Sequence, residues 1–215
     1  MKMEIHPAPL VHKYSDLLLQ ISALESLNPH FDIDIVNWGR TQMQTISVDE
    51  ALQANTKCNL TFDLMLDYPE VEVKKLVLEK RVQAIILNID AQENLHDLID
   101  LVHFHKKQVG ISINPDTHFY QIVPFIAELD IIQIFTVEPG AQGNPFLEKR
   151  LKLIASLRQF GYTEKISVDG GVNLSNLLKI AKLGVDICSV GSAISKSDNP
   201  AQAYTLMLNK LQSLD

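Results

Sequence analysis

Disulfides, a nucleic-acid face and a membrane span are all unsupported by what this chain is short of. It has two cysteines in 215 residues, Cys58 and Cys188, too few for a disulfide framework, and both stand in apolar runs where a small buried thiol is the expected role. A reducing compartment follows from that usage. Lys and Arg number 19 against 26 Asp and Glu, for a net charge of −7, and no basic run is longer than two residues. That balance argues against a nucleic-acid partner or an anionic membrane surface, while leaving room for a small anion in a local pocket. No stretch approaches the roughly 18 apolar residues of a membrane span. Met1-Lys2-Met3-Glu4-Ile5-His6-Pro7 lacks the apolar core of a signal peptide, so a cytoplasmic protein is expected. Internal repeats, low-complexity tracts and interdomain linkers are also missing.

What is present is alternation. With 46% apolar and 21% charged residues, the composition suits one domain over residues 1–215 with a sizeable core. Short apolar runs alternate with longer amphipathic ones, the pattern of a parallel α/β sheet with crossover helices, and eight such pairs can be counted. Strands are expected at Lys2–Ile5, Phe31–Val36, Asn59–Leu66, Ala84–Ile89, Val109–Ile113, Ile131–Thr136, Lys165–Val168 and Ile187–Val190. Asn144-Pro145 and Asn199-Pro200 each place a capping residue before a proline at the first helical position, and Gly184 closes the helix before the last strand. Apolar residues at helical spacing predict helices in Tyr14–Leu27 and Asn94–Lys107, and Pro69–Lys80 sets Val71, Val73, Leu76 and Val77 against a charged face.

The chemistry concentrates between Phe135 and Ile194. Three runs, Thr136-Val137-Glu138-Pro139-Gly140, Ser167-Val168-Asp169-Gly170-Gly171-Val172 and Val190-Gly191-Ser192-Ala193-Ile194, each leave an apolar segment, turn on glycine and feed a helix. Glycine lets backbone N–H groups approach a phosphate closely, and the helix N-terminus behind them carries partial positive charge. In this order and at this spacing the runs resemble the last three strand-to-loop units of the ribulose-phosphate 3-epimerases. The resemblance is close across these runs and looser elsewhere. It implies a single (β/α)8 TIM barrel with its active site at the C-terminal ends of the strands. Gly140, Gly143, Gly170, Gly171, Gly191 and Ser192 would then cradle the phosphate of a phosphorylated sugar. Met65 would lie near the third-strand acid, as a core residue or a substrate contact.

Residues of one parity along each barrel strand face the interior. In Phe31-Asp32-Ile33-Asp34-Ile35-Val36 the apolar Phe31, Ile33 and Ile35 would face the helices and turn Asp32 and Asp34 inward. Asp63 follows the same parity in the third strand and Asp169 ends the seventh, so these carboxylates are expected to converge at one end of the barrel. Inward acids are costly unless something compensates them. The plainer alternative is that they are caps or loop acids bonded only to backbone N–H groups. His30 reads as a solvated or capping residue at the bottom of its strand, or as an inward one if the alignment shifts, and the other histidines show no ligand spacing.

The resemblance further implies an isomerase of pentose phosphate metabolism, a ketose-phosphate 3-epimerase of the ribulose 5-phosphate and xylulose 5-phosphate type. In that family two aspartates on opposite faces of the substrate exchange a proton at the carbon beside the carbonyl, and Asp34 and Asp169 match them. The family also holds a divalent metal on those aspartates and on two histidines, whose positions here are Asp32 and Asp63. A set of Asp32, Asp34, Asp63 and Asp169 leaves excess negative charge around a divalent ion. It should prefer Mg2+ or Mn2+ to Zn2+, keep one acid protonated, or lose the metal-dependent chemistry. Ala8 stands where the family carries a serine and Asn114 where it carries a lysine, and Ala141-Gln142-Gly143 is poorer in glycine and lacks an aromatic. These departures keep open a second reading, a non-catalytic or divergent phosphosugar-binding barrel. A lyase of the related decarboxylase barrels would need a third-strand lysine, which Thr61–Asp67 lacks. Barrels of this family commonly associate, so a homo-oligomer, dimer or larger, is expected.

Overall fold

The structure is a computed structural model in which residues 3–27, 29–139 and 143–213 are described. Its strands are β1 (Glu4–Pro7), β2 (Phe31–Asn37), β3 (Leu60–Leu66), β4 (Val82–Asn88), β5 (Gln108–Ile113), β6 (Ile131–Phe135), β7 (Lys165–Asp169) and β8 (Ile187–Val190). The helices are α1 (Tyr14–Leu24), α2 (Val48–Leu52), α3 (Glu70–Leu76), α4 (Leu95–Phe104), α5 (Phe119–Ile122), α6 (Lys152–Phe160), α7 (Leu177–Ala181), α8 (Ser192–Ser195) and α9 (Pro200–Gln212). All ladders are parallel and run in the order β1-β8-β7-β6-β5-β4-β3-β2, so the sheet rolls into a nearly closed (β/α)8 barrel whose seam lies between β1 and β2.

Strand parity divides the interior from the helix-facing layer. Phe31, Ile33 and Ile35 of β2 and Phe62 and Leu64 of β3 pack with Leu17 and Ile21 of α1 and Val73 and Leu76 of α3 in the main core. Burying each of these side chains contributes about 1.5–3 kcal/mol, which is what holds the helices on the sheet. The opposite parity fills the barrel itself. Ala84, Ile86, Ile131 and Ile187 form a small apolar plug within it, while the remaining interior positions are largely polar.

Local signals placed most element ends, with exceptions that have physical causes. Asn199 caps α9, its side chain accepting from the Gln202 N–H ahead of Pro200. Asn144 does not cap a helix: its amide donates to the Glu138 carbonyl at 2.6 Å, and α6 begins only at Lys152 after a 3₁₀ turn at Glu148–Leu151. The segment read as one helix over Tyr14–Leu27 is α-helical to Leu24 and tightens into a 3₁₀ turn at Glu25–Leu27. Strand β1 starts later than expected and continues to Pro7, which brings His6 into the barrel wall. Lys2, expected in that strand, lies outside the described residues. Both cysteines are buried and free, and no helix among the described residues is long and apolar enough to cross a membrane.

Candidate active site

Three carboxylates meet inside the barrel. Asp34 of β2 and Asp63 of β3 are register partners, and Asp169 ends β7 across the interior. Each offers an oxygen within 4.8 Å of the others. Asp63 is fully buried, Asp34 is 9% exposed, and Asp169 is partly open to a cleft above them. Asp63 is held by the Gln133 amide, which donates at 2.6 Å, and by the Ser112 hydroxyl at 3.5 Å; Gln133 in turn accepts from Ser167 at 3.4 Å. Gln133, Ser112 and Ser167 share the inward parity; Gln133 and Ser112 lie in no motif, and Ser167 opens the Ser-Val-Asp-Gly-Gly-Val run with no role marked by its residue type.

Crowding sets the charge state of this trio. Burial, then the charges of Asp169, Asp63 and Asp32, hold the Asp34 carboxyl well above the usual carboxylate range. Burial also raises Asp63, with Asp169 and Asp32 adding to the effect against the opposing bonds from Gln133 and Ser112. Asp169 is pushed up to about 7 by burial and the Asp32 charge, while the Gly170 N–H works in the opposite direction. Three neighbouring buried acids cannot all ionise at neutral pH without protons or a cation to offset them. The donors are all hard carboxylate oxygens, a set that fits a hard divalent ion.

Asp32, expected in the same set, is not brought into it. Its carboxylate accepts from His6 Nδ1 at 2.8 Å and from the Ser189 hydroxyl. Burial alone would lower the His6 imidazole, but the Asp32 charge and the hydrogen bonds to Asp32 and Glu4 raise it to about 9, so His6 is the cation that balances Asp32. His30 is not a solvated residue: its ring stacks on His6 at 4.2 Å, its Nε2 bonds the Thr61 hydroxyl at 2.8 Å, and burial followed by the His6 charge pushes it down to about 4. His6 escaped notice in the sequence because its partner is 26 residues away and no ligand spacing links them.

Above the trio a cleft of about 600 Å³, its open mouth included, is lined by Asp34, Asp169, Met65, Gly143, Gly170, Gly171, Gly191 and Ser192. The acids and the glycine loops therefore face one space. Gly140 and its neighbours Ala141 and Gln142 lie outside the described residues. Gly170 has φ +99°, and a Cβ there would meet Val137 Cγ2 at 2.3 Å, so only glycine permits this loop to pack against the one after β6. Thr136 ties the same two loops, its hydroxyl donating to the Gly170 carbonyl at 2.6 Å and its N–H to the Asp169 carbonyl at 2.7 Å. Behind them Ser192 opens α8, whose first N–H groups have no acceptor within the helix and are available to an anion.

The far wall of the cleft is apolar. Met65 packs with Val36, Trp38 and Phe135, and Leu10 and Met43 lean on that cluster. Phe135 was within reach of sequence reasoning, being two residues beyond inward Gln133; Met43, on a loop, carried no signal. Trp38 is buried beneath this wall, and Arg40 lies over its ring at 5.2 Å while pairing with Asp90 and Asp116 at the barrel mouth. Arg150 braces the neighbouring strand ends from within, its guanidinium donating to the carbonyls of Ile113, Asn114, Pro115 and Phe135.

Comparison with known proteins agrees with this architecture. The chain is 28% identical over 158 residues to the ribulose-phosphate 3-epimerase of Schizosaccharomyces pombe, spanning 73% of this chain and 69% of that one. It is 26% identical over 210 residues to the chloroplastic ribulose-5-phosphate-3-epimerase of Arabidopsis thaliana, spanning 93% and 74%. The match to the ribulose-phosphate 3-epimerase of Buchnera aphidicola subsp. Baizongia pistaciae is 34% over 122 residues, and there the chain spans about half of the relative (54%). Among solved structures, KGPDC from Streptococcus mutans superposes with a TM-score of 0.69 at 14% identity, covering 99% of each chain. 3-Hexulose-6-phosphate synthase gives 0.64 at 13% identity, covering 98% of this chain and 99% of that one. At such identity these structures speak to the fold alone. The model of the Ribulose-phosphate 3 epimerase family matches residues 5–195, and with that extent the chain belongs to this family.

Proposed function

We propose that the protein is a ketose-phosphate 3-epimerase that interconverts ribulose 5-phosphate and xylulose 5-phosphate. The observation that carries the reading is that Asp34 and Asp169 open into the same cleft as the glycine loops suited to a phosphate. With the phosphate on the N–H groups around Gly170, Gly171, Gly191 and Ser192, the third carbon of the sugar comes between acids supplied by β2 and β7. One carboxylate, ionised, takes the proton from that carbon, and the other, protonated, returns a proton to the opposite face. The raised position of both acids suits this exchange, since each must serve as base in one direction and acid in the other. Asp63, fixed by Gln133, stands beside Asp34 as a third carboxyl without itself needing to move. The apolar wall of Met65, Phe135 and Leu10 keeps stray water from the carbon while it is deprotonated.

Asp34, Asp63 and Asp169 are the residues that would hold a divalent cation, with Mg2+ or Mn2+ favoured over Zn2+ by their all-carboxylate oxygens. When bound, such an ion supplies electrostatic stabilisation of the negative charge that develops on the substrate oxygens. The test is proton NMR of ribulose 5-phosphate in deuterated water, with metal-stripped protein and then with Mg2+, Mn2+, Zn2+ or Fe2+ added singly. Deuterium entering at the third carbon is the expected result. Its absence under every metal, with line broadening showing that the phosphate binds, would favour a binding barrel without turnover.

A further inference from the structure

The barrel has one joint that backbone hydrogen bonds do not close. Seven strand pairs carry ladders, but among the described residues none joins β1 to β2, which stand at the two ends of the hydrogen-bonded order. Across that joint the strands are linked by side chains. His6 of β1 donates from Nδ1 to Asp32 of β2 at 2.8 Å, and Ser189 of β8, the register partner of His6, donates to the other Asp32 oxygen. All three residues are at least 95% buried. His30 covers the His6 ring face, and Glu4 accepts from His6 Nε2 at 3.1 Å. Both oxygens of a buried carboxylate and both nitrogens of a buried imidazole are thus used, which is the condition under which an internal ion pair is tolerated.

We propose that His6, Asp32 and Ser189 form a clasp across this seam that fixes β2 against β1 and β8, and so sets where Asp34 stands relative to Asp169. On this reading, which rests on the epimerase proposal above, they are positioning residues and lie outside the metal set. The transmission is short. Asp34 follows Asp32 by two residues on the same face of β2, and Ser189 pairs in register with both His6 and Asp169, so one layer of side chains refers both acids to a common point. Apolar packing could fill the same volume, but only directional bonds specify how far β2 slides along β1. The glycine loops follow β6, β7 and β8 and none is built on β2, so loosening the clasp should move the acid and leave the phosphate grip.

The experiment compares wild type, His6→Ala, His6→Gln, Asp32→Asn and the double variant His6→Ala/Asp32→Asn, each checked for folding by circular dichroism. His6→Ala is expected to lower kcat on the order of 10²-fold while KM changes by no more than about 3-fold, the pattern of a displaced reacting group. His6→Gln, whose amide can donate to the same oxygen, recovers most of the loss. The double variant is no worse than the poorer single one, because both remove the same contact. Mn2+ binding followed by paramagnetic resonance stays at the same stoichiometry in all five proteins. Asp32→Asn losing Mn2+ while His6→Ala keeps it would make Asp32 a metal ligand and overturn the proposal, as would a folded His6→Ala with unchanged kcat. Should His6→Ala fail to fold, Ser189→Ala, which removes only the neutral bond, is expected to give a smaller loss of the same kcat-only kind, and no loss there overturns the clasp. Hydrogen exchange of the β2 amides separates this from the function itself. Faster exchange in His6→Ala alongside inactive wild type would overturn the epimerase and support the clasp, and unchanged exchange would overturn the clasp.

Discussion

Replacing Asp169 by asparagine should make the metal-free protein more stable at neutral pH while removing its activity. Asp169 rises from the ordinary 3.8 to about 7 because it is buried and faces the charge of Asp32. A carboxyl whose folded pKa is raised binds its proton more tightly in the folded state, so its contribution to stability is fully present below about pH 4. That contribution is lost as pH climbs through 7. A rise of about three pKa units at roughly 1.4 kcal/mol each means that wild type, stripped of metal, gives up about 4 kcal/mol between pH 4 and 7.5 through this group. Asparagine keeps the shape and can still accept from the Gly170 N–H, but it has no charge to bury. Urea unfolding of both proteins in chelator, at pH 4.5 and at pH 7.5, is the assay. The two should be close in stability at pH 4.5, and at pH 7.5 the variant should exceed wild type by a few kcal/mol. A variant that is equally or less stable at pH 7.5 would show that the trio is not a strained cluster of acids, and the charge argument for the site would fall with it.

Asp34→Asn should lower turnover on the order of 10³-fold with phosphate binding retained, read by deuterium exchange and by phosphorus NMR titration, because only one of the two proton carriers is lost. Gly170→Ala should cost about 1–3 kcal/mol in unfolding free energy and raise KM more than it lowers kcat, since the added methyl strains a backbone at φ +99° and meets Val137. Mn2+ at a hundredfold excess over its Kd should restore roughly 3 kcal/mol to wild type at pH 7.5 and far less to Asp63→Asn, followed by the urea midpoint. Arg150→Met should destabilise on the order of 3 kcal/mol at any pH between 5 and 8, because the carbonyls of Ile113, Asn114, Pro115 and Phe135 lose their donor inside the fold.

Much of the site could be read along the chain because it depends on local periods. Alternation in Phe31–Val36 fixes that Asp34 points opposite to Ile33 and Ile35, whatever the rest of the fold does. Gly170 and Gly171 announce a left-handed loop after a strand, and the structure gives them φ +99° and +70°. Asn144 shows where local reading fails. Asn-Pro is a sound helix-start signal, yet the side chain found the Glu138 carbonyl six residues back, and the helix waited until Lys152. A cap is decided by which acceptor or donor is nearest, and the loop after β6 brought a carbonyl closer than a helix N–H.

Residue order was enough to specify the alternating strands and helices, the inward acids and the glycine loops, because each follows from the preferences of residues within a few positions of one another. How the acids are divided was settled only when the barrel closed. Four inward aspartates looked equivalent when judged by parity, but closure set Asp32 beside His6 and Ser189, 26 and 157 positions away in the chain, and left Asp34, Asp63 and Asp169 together. Charge follows that division: Asp32 is given an imidazolium, while Asp34, Asp63 and Asp169 have none, feel the Asp32 charge as well, and must share protons or a cation.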